Sequence, residues 1–380
     1  MGERRGKGTG SVVERSPGTW RVRHQAPSVN GQRKWGSETV RGSRRQAEKL
    51  LREKLRLVEN KSYVPKTKES VGEFLQSFID GYGGSNLSPR TLDGYRSYIN
   101  RYMGKVANLP LQSLTPQIIQ EIYSSMGSSG LSNTTILQLH RVLHKAFKIA
   151  VEQDKLLRNP CDKVLPPKKQ QTELKVWDTS TLEQFLNVAK TSRFYDVYRI
   201  AVHTGLRRSE LCGLKWEQVD LVNGSLSVTQ ILQRVTGRGL VEGQPKTKRS
   251  RRSVDLNNTA FESLRTIQGW QLEQKLFLSD VWEDSGYVVT DEVGRPLDAN
   301  VLTHDFQKIV TCSGLPHMTF HGLRHMTATL LMKAGKNPKV VQELLGHSTI
   351  GVTMDTYSHV MPGLQKDAVS ALDDMLNPGH

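Results

Sequence analysis

Four short strings in the second half of the chain gather the side chains best suited to chemistry. Residues 204–211 read TGLRRSEL, 245–256 PKTKRSRRSVDL, 319–331 TFHGLRHMTATLL and 344–359 LLGHSTIGVTMDTYSH. Between them they hold Arg207, Lys246, His321, Arg324, His347 and Tyr357. Breaking a phosphodiester without a metal calls for this kind of set. The non-bridging oxygens need cationic, bidentate donors, which arginine supplies best. An attacking hydroxyl needs a base, and the departing oxygen needs an acid. Taken singly, each residue has a plainer reading: a surface arginine, a satisfied core histidine, a core tyrosine. Their joint appearance, in this order and inside these strings, outweighs the single readings.

These strings resemble the motif boxes of the tyrosine recombinases, the phage integrase family, over about residues 175–362. The resemblance implies site-specific DNA strand breakage and rejoining, through a 3′-phosphotyrosyl link and a Holliday junction. By its motifs, Arg207 and Arg324 would clamp the scissile phosphate and Tyr357 would attack it. His321 would take the tyrosine proton, His347 would donate to a phosphate oxygen, and Lys246 would protonate the leaving 5′ oxygen. Glu210 matches an acidic position that braces the site. Lys248, two residues beyond Lys246, stays open as the acid; Arg208 adjoins Arg207, but the TGLR string favours Arg207. The link conserves the bond energy, so the resemblance implies no cofactor and no metal. It also implies a tetramer on double-stranded DNA, with an excisionase or a DNA-bending protein as accessory partner. Integration of a mobile element is the expected outcome. A type IB topoisomerase shares the nucleophile, but an arm-like N-terminal domain argues for recombination. A zinc enzyme using His321, His325 and His347 would lack its usual ligand signature.

The elements that position these strings point to a multidomain α+β chain. Residues 1–62 carry three short β-rich runs (11–13, 19–24 and 34–40), divided by Pro17-Gly18 and the hairpin signal Asn30-Gly31. A helix is predicted over 44–60, with Ala47, Leu50, Leu51, Leu55 and Val58 near helical spacing. Arg21 and Arg23 alternate with Trp20 and Val22, so one sheet face should be basic and the other apolar. By resemblance this is a small β-sheet-plus-helix arm domain that binds DNA.

Residues 63–68 read as a linker, and 67–164 as an all-α domain resembling the family's core-site DNA-binding domain. Ser88-Pro89 and Thr115-Pro116 each supply an N-cap and a first-turn proline. Leu92, Tyr95, Ile99 and Tyr102 follow at core spacing. In the helix near 134–153, Arg141, His144, Lys145 and Lys148 form a basic stripe able to ride on phosphates. Pro166-Pro167 ends this part. Residues 172–380 should be a mainly α catalytic domain with a small antiparallel sheet within 225–256. Ala368, Val369, Leu372, Met375 and Leu376 put an apolar face on a C-terminal helix that the family docks on a neighbouring protomer.

Charge agrees with a polyanionic partner. The chain of 380 residues carries a net +16, and residues 1–60 alone hold fifteen Lys/Arg against six Asp/Glu. No apolar run is long enough to span a bilayer, the basic N-terminus has no apolar region behind it, and Gly6 stands where a myristoylation motif needs Ser or Thr. A cytoplasmic protein without membrane partners is expected. Cys161, Cys212 and Cys312 lie too far apart for a ligand framework and are expected to be small buried hydrophobes.

Overall fold

The computed structural model describes residues 10–29, 32–60, 63–168, 176–245, 250–347, 349–351, 354 and 376. The chain divides into two compact units, Met1–Gln171 and Thr172–His380. Among the described residues, no helix is long and apolar enough to cross a membrane.

The first unit opens with an antiparallel meander of β1 (Ser11–Ser16), β2 (Thr19–Val29) and β3 (Gln32–Arg41). Helix α1 (Arg44–Glu59) follows, started by a capping box between Ser43 and Gln46. Val22 of the sheet packs with Ala47 and Leu51 of α1, and Val12, Trp20, Val40, Leu50 and Leu55 close around them. The period of two expected along β2 is present: Val22, His24 and Ala26 are buried, while Arg23 is exposed on the opposite face. The segment after α1 lies against this sheet. Tyr63 meets His24 edge-on at 4.8 Å between ring centroids, and Lys66 pairs with Glu38.

Five helices follow: α2 (Val71–Phe78), α3 (Gly84–Asn86), α4 (Pro89–Tyr102), α5 (Pro116–Ser128) and α6 (Asn133–Glu152). Ser88 and Thr115 cap α4 and α5 as the sequence suggests, each accepting from a backbone N–H of the first turn. Phe74, Leu75, Leu139, Leu143 and Phe147 form a core of their own, with Leu92, Tyr95, Ile99 and Tyr102 packed at its edge. The apolar spacing therefore makes the helices and fixes which face each one buries.

The second unit holds α7 (Thr179–Ala189), α8 (Tyr195–Thr204) and α9 (Arg208–Leu211). Five short strands come next, β4 (Val219–Asp220), β5 (Ser225–Val228), β6 (Ile231–Val235), β7 (Gly239–Gly243) and β8 (Arg252–Asp255). They make a three-stranded sheet in the order β4-β5-β8 and the hairpin β6-β7. Helices α10 (Asn258–Leu278), α11 (Ala299–Cys312), α12 (Phe320–Lys333) and α13 (Pro338–Leu345) complete the described part. The core is aromatic: Phe185, Tyr198, Phe306 and Phe320 pack ring to ring, with Phe185 and Phe306 centroids 4.9 Å apart. Burying each such ring stabilises the unit by roughly 1.5–3 kcal/mol, and it holds α8, α11 and α12 together. Thr327 of α12 reinforces this by donating to the Val202 carbonyl of α8 at 2.7 Å. One cysteine departs from expectation. Cys161 and Cys212 are buried, but Cys312 is exposed, because it ends α11 beyond the face that carries Phe306 and Val310.

Candidate active site

Two helix ends build the site. Helix α8 stops at Gly205 and α13 at Gly346, both in the left-handed region with φ of 62° and 64°. At Gly205 a side chain would also collide, since a Cβ there would lie 2.5 Å from Leu345 Cδ2. The glycine in TGLR thus lets the ends of α8 and α13 approach.

The last carbonyls of a helix lack partners within it and carry the negative end of its dipole. At α13 they attract three cations. Arg252 Nε donates to the Leu344 carbonyl at 2.6 Å, Arg324 Nη2 to that of Leu345, and Arg207 Nη2 to that of Gly346 at 3.0 Å. Arg324 also donates through Nη1 to the Gly205 carbonyl at 2.7 Å, so it bridges both helix ends from α12 while only 2% exposed. Arg207, at the start of α9, stays partly exposed and donates to Glu210 Oε1 at 2.6 Å. The other carboxylate oxygen of Glu210 accepts from Arg252 Nη2 at 3.0 Å and from the Arg207 backbone N–H at 2.9 Å. Burial pushes the Glu210 carboxyl up, but Arg252 and Arg207 outweigh it, so Glu210 is held below the ordinary value as a carboxylate.

Both histidines are held neutral at ordinary pH. Burial lowers His347 to about 4, helped by the charges of Arg324 and Arg207. His321 lies at the surface of the cluster, where loss of hydration, then His325, Arg324 and Arg207, push it down to about 4 as well. The His325 ring stands edge-on to it at 4.8 Å. A neutral imidazole can accept a proton or donate one N–H. The backbone of His347 is fixed at both ends by Gln342, whose carbonyl accepts from its N–H at 3.1 Å and whose amide donates to its carbonyl at 3.0 Å.

The structure therefore brings together Arg207, Glu210, His321, Arg324 and His347 from the sequence set. Arg208 turns the other way and donates to Thr303 of α11. Lys246, Lys248 and Tyr357 lie outside the described residues, as does nearly all of 364–376. Arg252 is the residue that the motifs did not single out. Its signal was the period of two: Arg252 shares a strand face with Val254, which is buried, and a cation on an apolar face implies a buried partner. Arg21, Arg23, Arg141, Lys145 and Lys148 belong to the other compact unit. On the outer sheet face Arg21 donates to Ser37 at 3.0 Å and Arg23 lies over Trp35 at 5.4 Å from the ring centroid. On α6, Arg141 and Lys148 are exposed, Lys145 sits over the Tyr82 ring at 4.9 Å, and His144 pairs with Asp162.

Three arginines, a bracing carboxylate and two neutral histidines thus meet at paired helix ends, a cationic arrangement suited to an anionic group. Residues 175–363 match the model of the phage integrase family, and residues 70–164 that of the phage integrase SAM-like domain. A "Tyrosine recombinase XerC-like" protein of Caldanaerobacter subterraneus subsp. tengcongensis is 30% identical over 354 residues, covering 88% of this chain and 90% of its own. Among solved structures, the Tn1549 transposon integrase in complex with transposon right end DNA is 26% identical, with a TM-score of 0.69 over 80% of this chain and 99% of that one. A lambda integrase tetramer on a Holliday junction shares the fold at 18% identity, with a TM-score of 0.58 over 93% of this chain and 96% of that one. The chain belongs to the tyrosine recombinases of the phage integrase family, enzymes that cut and rejoin DNA site-specifically.

Proposed function

We propose that this recombinase is the integrase of a mobile element and that Tyr357 is its nucleophile. The observation that carries the reading is the convergence of Arg207, Arg324, His321 and His347 on one pair of helix ends, with Tyr357 ten residues after His347. In this reading the arginines hold the scissile phosphate and stabilise the pentavalent transition state. His321 accepts the tyrosine proton, which its neutral form allows, and His347 donates to a phosphate oxygen. The tyrosine oxygen bonds to phosphorus as the bond to the 5′ oxygen breaks. Lys246 supplies the proton to that oxygen, leaving a 3′-phosphotyrosyl link and a free 5′-hydroxyl. Attack by the 5′-hydroxyl of another strand reverses the step and yields a Holliday junction, so four protomers act around two duplexes.

Domain roles follow the same reading. Residues 67–164 would grip core-site DNA, with Arg141, Lys145 and Lys148 on phosphates, and 172–380 would form the catalytic domain. Residues 1–62 would bind arm sites through Arg21 and Arg23. The Tn1549 integrase solved on DNA supports a double-stranded substrate. An excisionase or a DNA-bending protein would set direction, and the reaction would take place in the cytoplasm. The test is adduct formation on the element's attachment DNA in EDTA. The native chain should yield an SDS-stable adduct and Tyr357→Phe none, with DNA affinity retained; an adduct from Tyr357→Phe would overturn the assignment.

A further inference from the structure

Helix α1 carries a second charged surface, on the side of the N-terminal domain opposite Arg21 and Arg23. Arg45, Lys49, Arg52 and Arg56 recur at spacings of four, three and four, so they form one stripe along the helix. All four are exposed, and among the described residues none of them forms an ion pair. The other cations of α1 are differently placed: Arg44 pairs with Glu48 at 3.2 Å, and Lys54 reaches Glu38 of the sheet at 3.2 Å. Ala47 and Leu51 point into the domain core, about half a turn around the helix from the stripe.

The arrangement is unfavourable at the start of the helix, although Arg56 in the last turn is favourably placed. Arg45 stands in the first turn, where the dipole is positive and where no acidic residue offsets it. Each successive pair in the stripe, three or four residues apart, sets like charges side by side, which weakens a helix. A bound polyanion would remove both penalties. A helix is about 10 Å across, so a straight duplex lying on the outer sheet face cannot also touch the far side of α1.

We propose that the outward face of α1 binds the phosphate backbone of a second DNA segment, so that the N-terminal domain holds two duplex segments at once. This rests on the DNA-recombinase reading above, but it makes its own demand on residues that are no part of the catalytic cluster. Binding to the backbone in this way carries no sequence information; it gives affinity that falls with salt.

The experiment uses the full chain and a short duplex of arbitrary sequence, with binding measured across a salt series. Changing Arg45, Lys49, Arg52 and Arg56 together to Gln should flatten the slope of log K against log salt by about 3 to 4, near 0.9 for each phosphate no longer neutralised. The melting temperature should hold or rise, because like-charge pairs are removed. Lys49→Gln alone should flatten the slope by about 1, which keeps the test open if the fourfold variant fails to fold. Arg21→Gln with Arg23→Gln should act additively with either variant, as expected for separate faces. A benzoylphenylalanine placed at Glu53, beside the stripe, should crosslink to DNA on irradiation. An unchanged slope, or a crosslink found only to another protein chain, would overturn the proposal. Adduct formation at attachment DNA should persist in the α1 variants, so its loss from the native chain would instead count against the recombinase reading.

Discussion

Arg252 Nη2 lies 3.0 Å from Oε2 of Glu210, and both side chains are almost sealed from water. Breaking a buried pair from one side strands the other charge. Arg252→Ala should therefore lower the unfolding free energy by about 3–5 kcal/mol in urea titrations. Adding Glu210→Ala should cost less than the sum of the two single changes; strict additivity would mean that the pair is not coupled.

Arg207 and Arg324 should separate activity from stability. Arg324 is sealed in and bridges two helix ends, so Arg324→Lys should lose both strand cleavage and several degrees of melting temperature. Arg207 is partly exposed, and Arg207→Lys should abolish adduct formation while costing about 1 kcal/mol or less of stability. Equal destabilisation by both changes would contradict the burial difference.

Acid should loosen the catalytic unit through His347. The unfolded chain takes up this proton at the ordinary value of 6.5, the native one only near 4. The native state is therefore favoured in full above 6.5, and the contribution fades as pH falls from 6.5 towards 4, by roughly 3 kcal/mol for this group. Melting curves of His347→Gln should fall less steeply over that window than those of the native chain.

Gly205→Ala tests the close approach of α8 and α13. The left-handed φ alone costs roughly 1–2 kcal/mol, and the clash with Leu345 adds to it. The variant should melt lower and cleave more slowly, because the Gly205 carbonyl that orients Arg324 must shift. A variant as active and stable as the native chain would show that the helix ends can separate freely.

The choice of general acid can be read chemically. Lys246→Ala should cleave ordinary DNA poorly and recover on a 5′-bridging phosphorothiolate, whose sulfur leaves without a proton. Rescue of Lys248→Ala instead would move the role by two residues.

Local features are legible in the sequence because local physics sets them. Ser88-Pro89 and Thr115-Pro116 start helices wherever they stand, Gly205 ends one, and the alternation of Arg21 and Arg23 with Trp20 and Val22 sorts the sheet faces. The motif strings likewise name Arg207, Glu210, His321, Arg324 and His347. Their partners are hidden, since backbone carbonyls have no residue identity to read. Nothing in RSRRSVD says that Arg252 will find Leu344, nor that Arg208 will turn to Thr303 while its neighbour faces the cluster. Those outcomes depend on tertiary placement, as does the exposure of Cys312 at the end of α11.

The three carbonyls at the end of α13 also bear on the order in which the protein assembles. Their arginines come from 139, 21 and 92 residues away, and Arg324 reaches back another 119 to Gly205. Pairings of such high sequence separation close late, after the entropy of long loops has been lost. During synthesis, Arg207, Arg252 and Arg324 all leave the ribosome before the helix end that aligns them. A nascent chain, or one truncated before α13, thus carries these three cations without the helix end that aligns them.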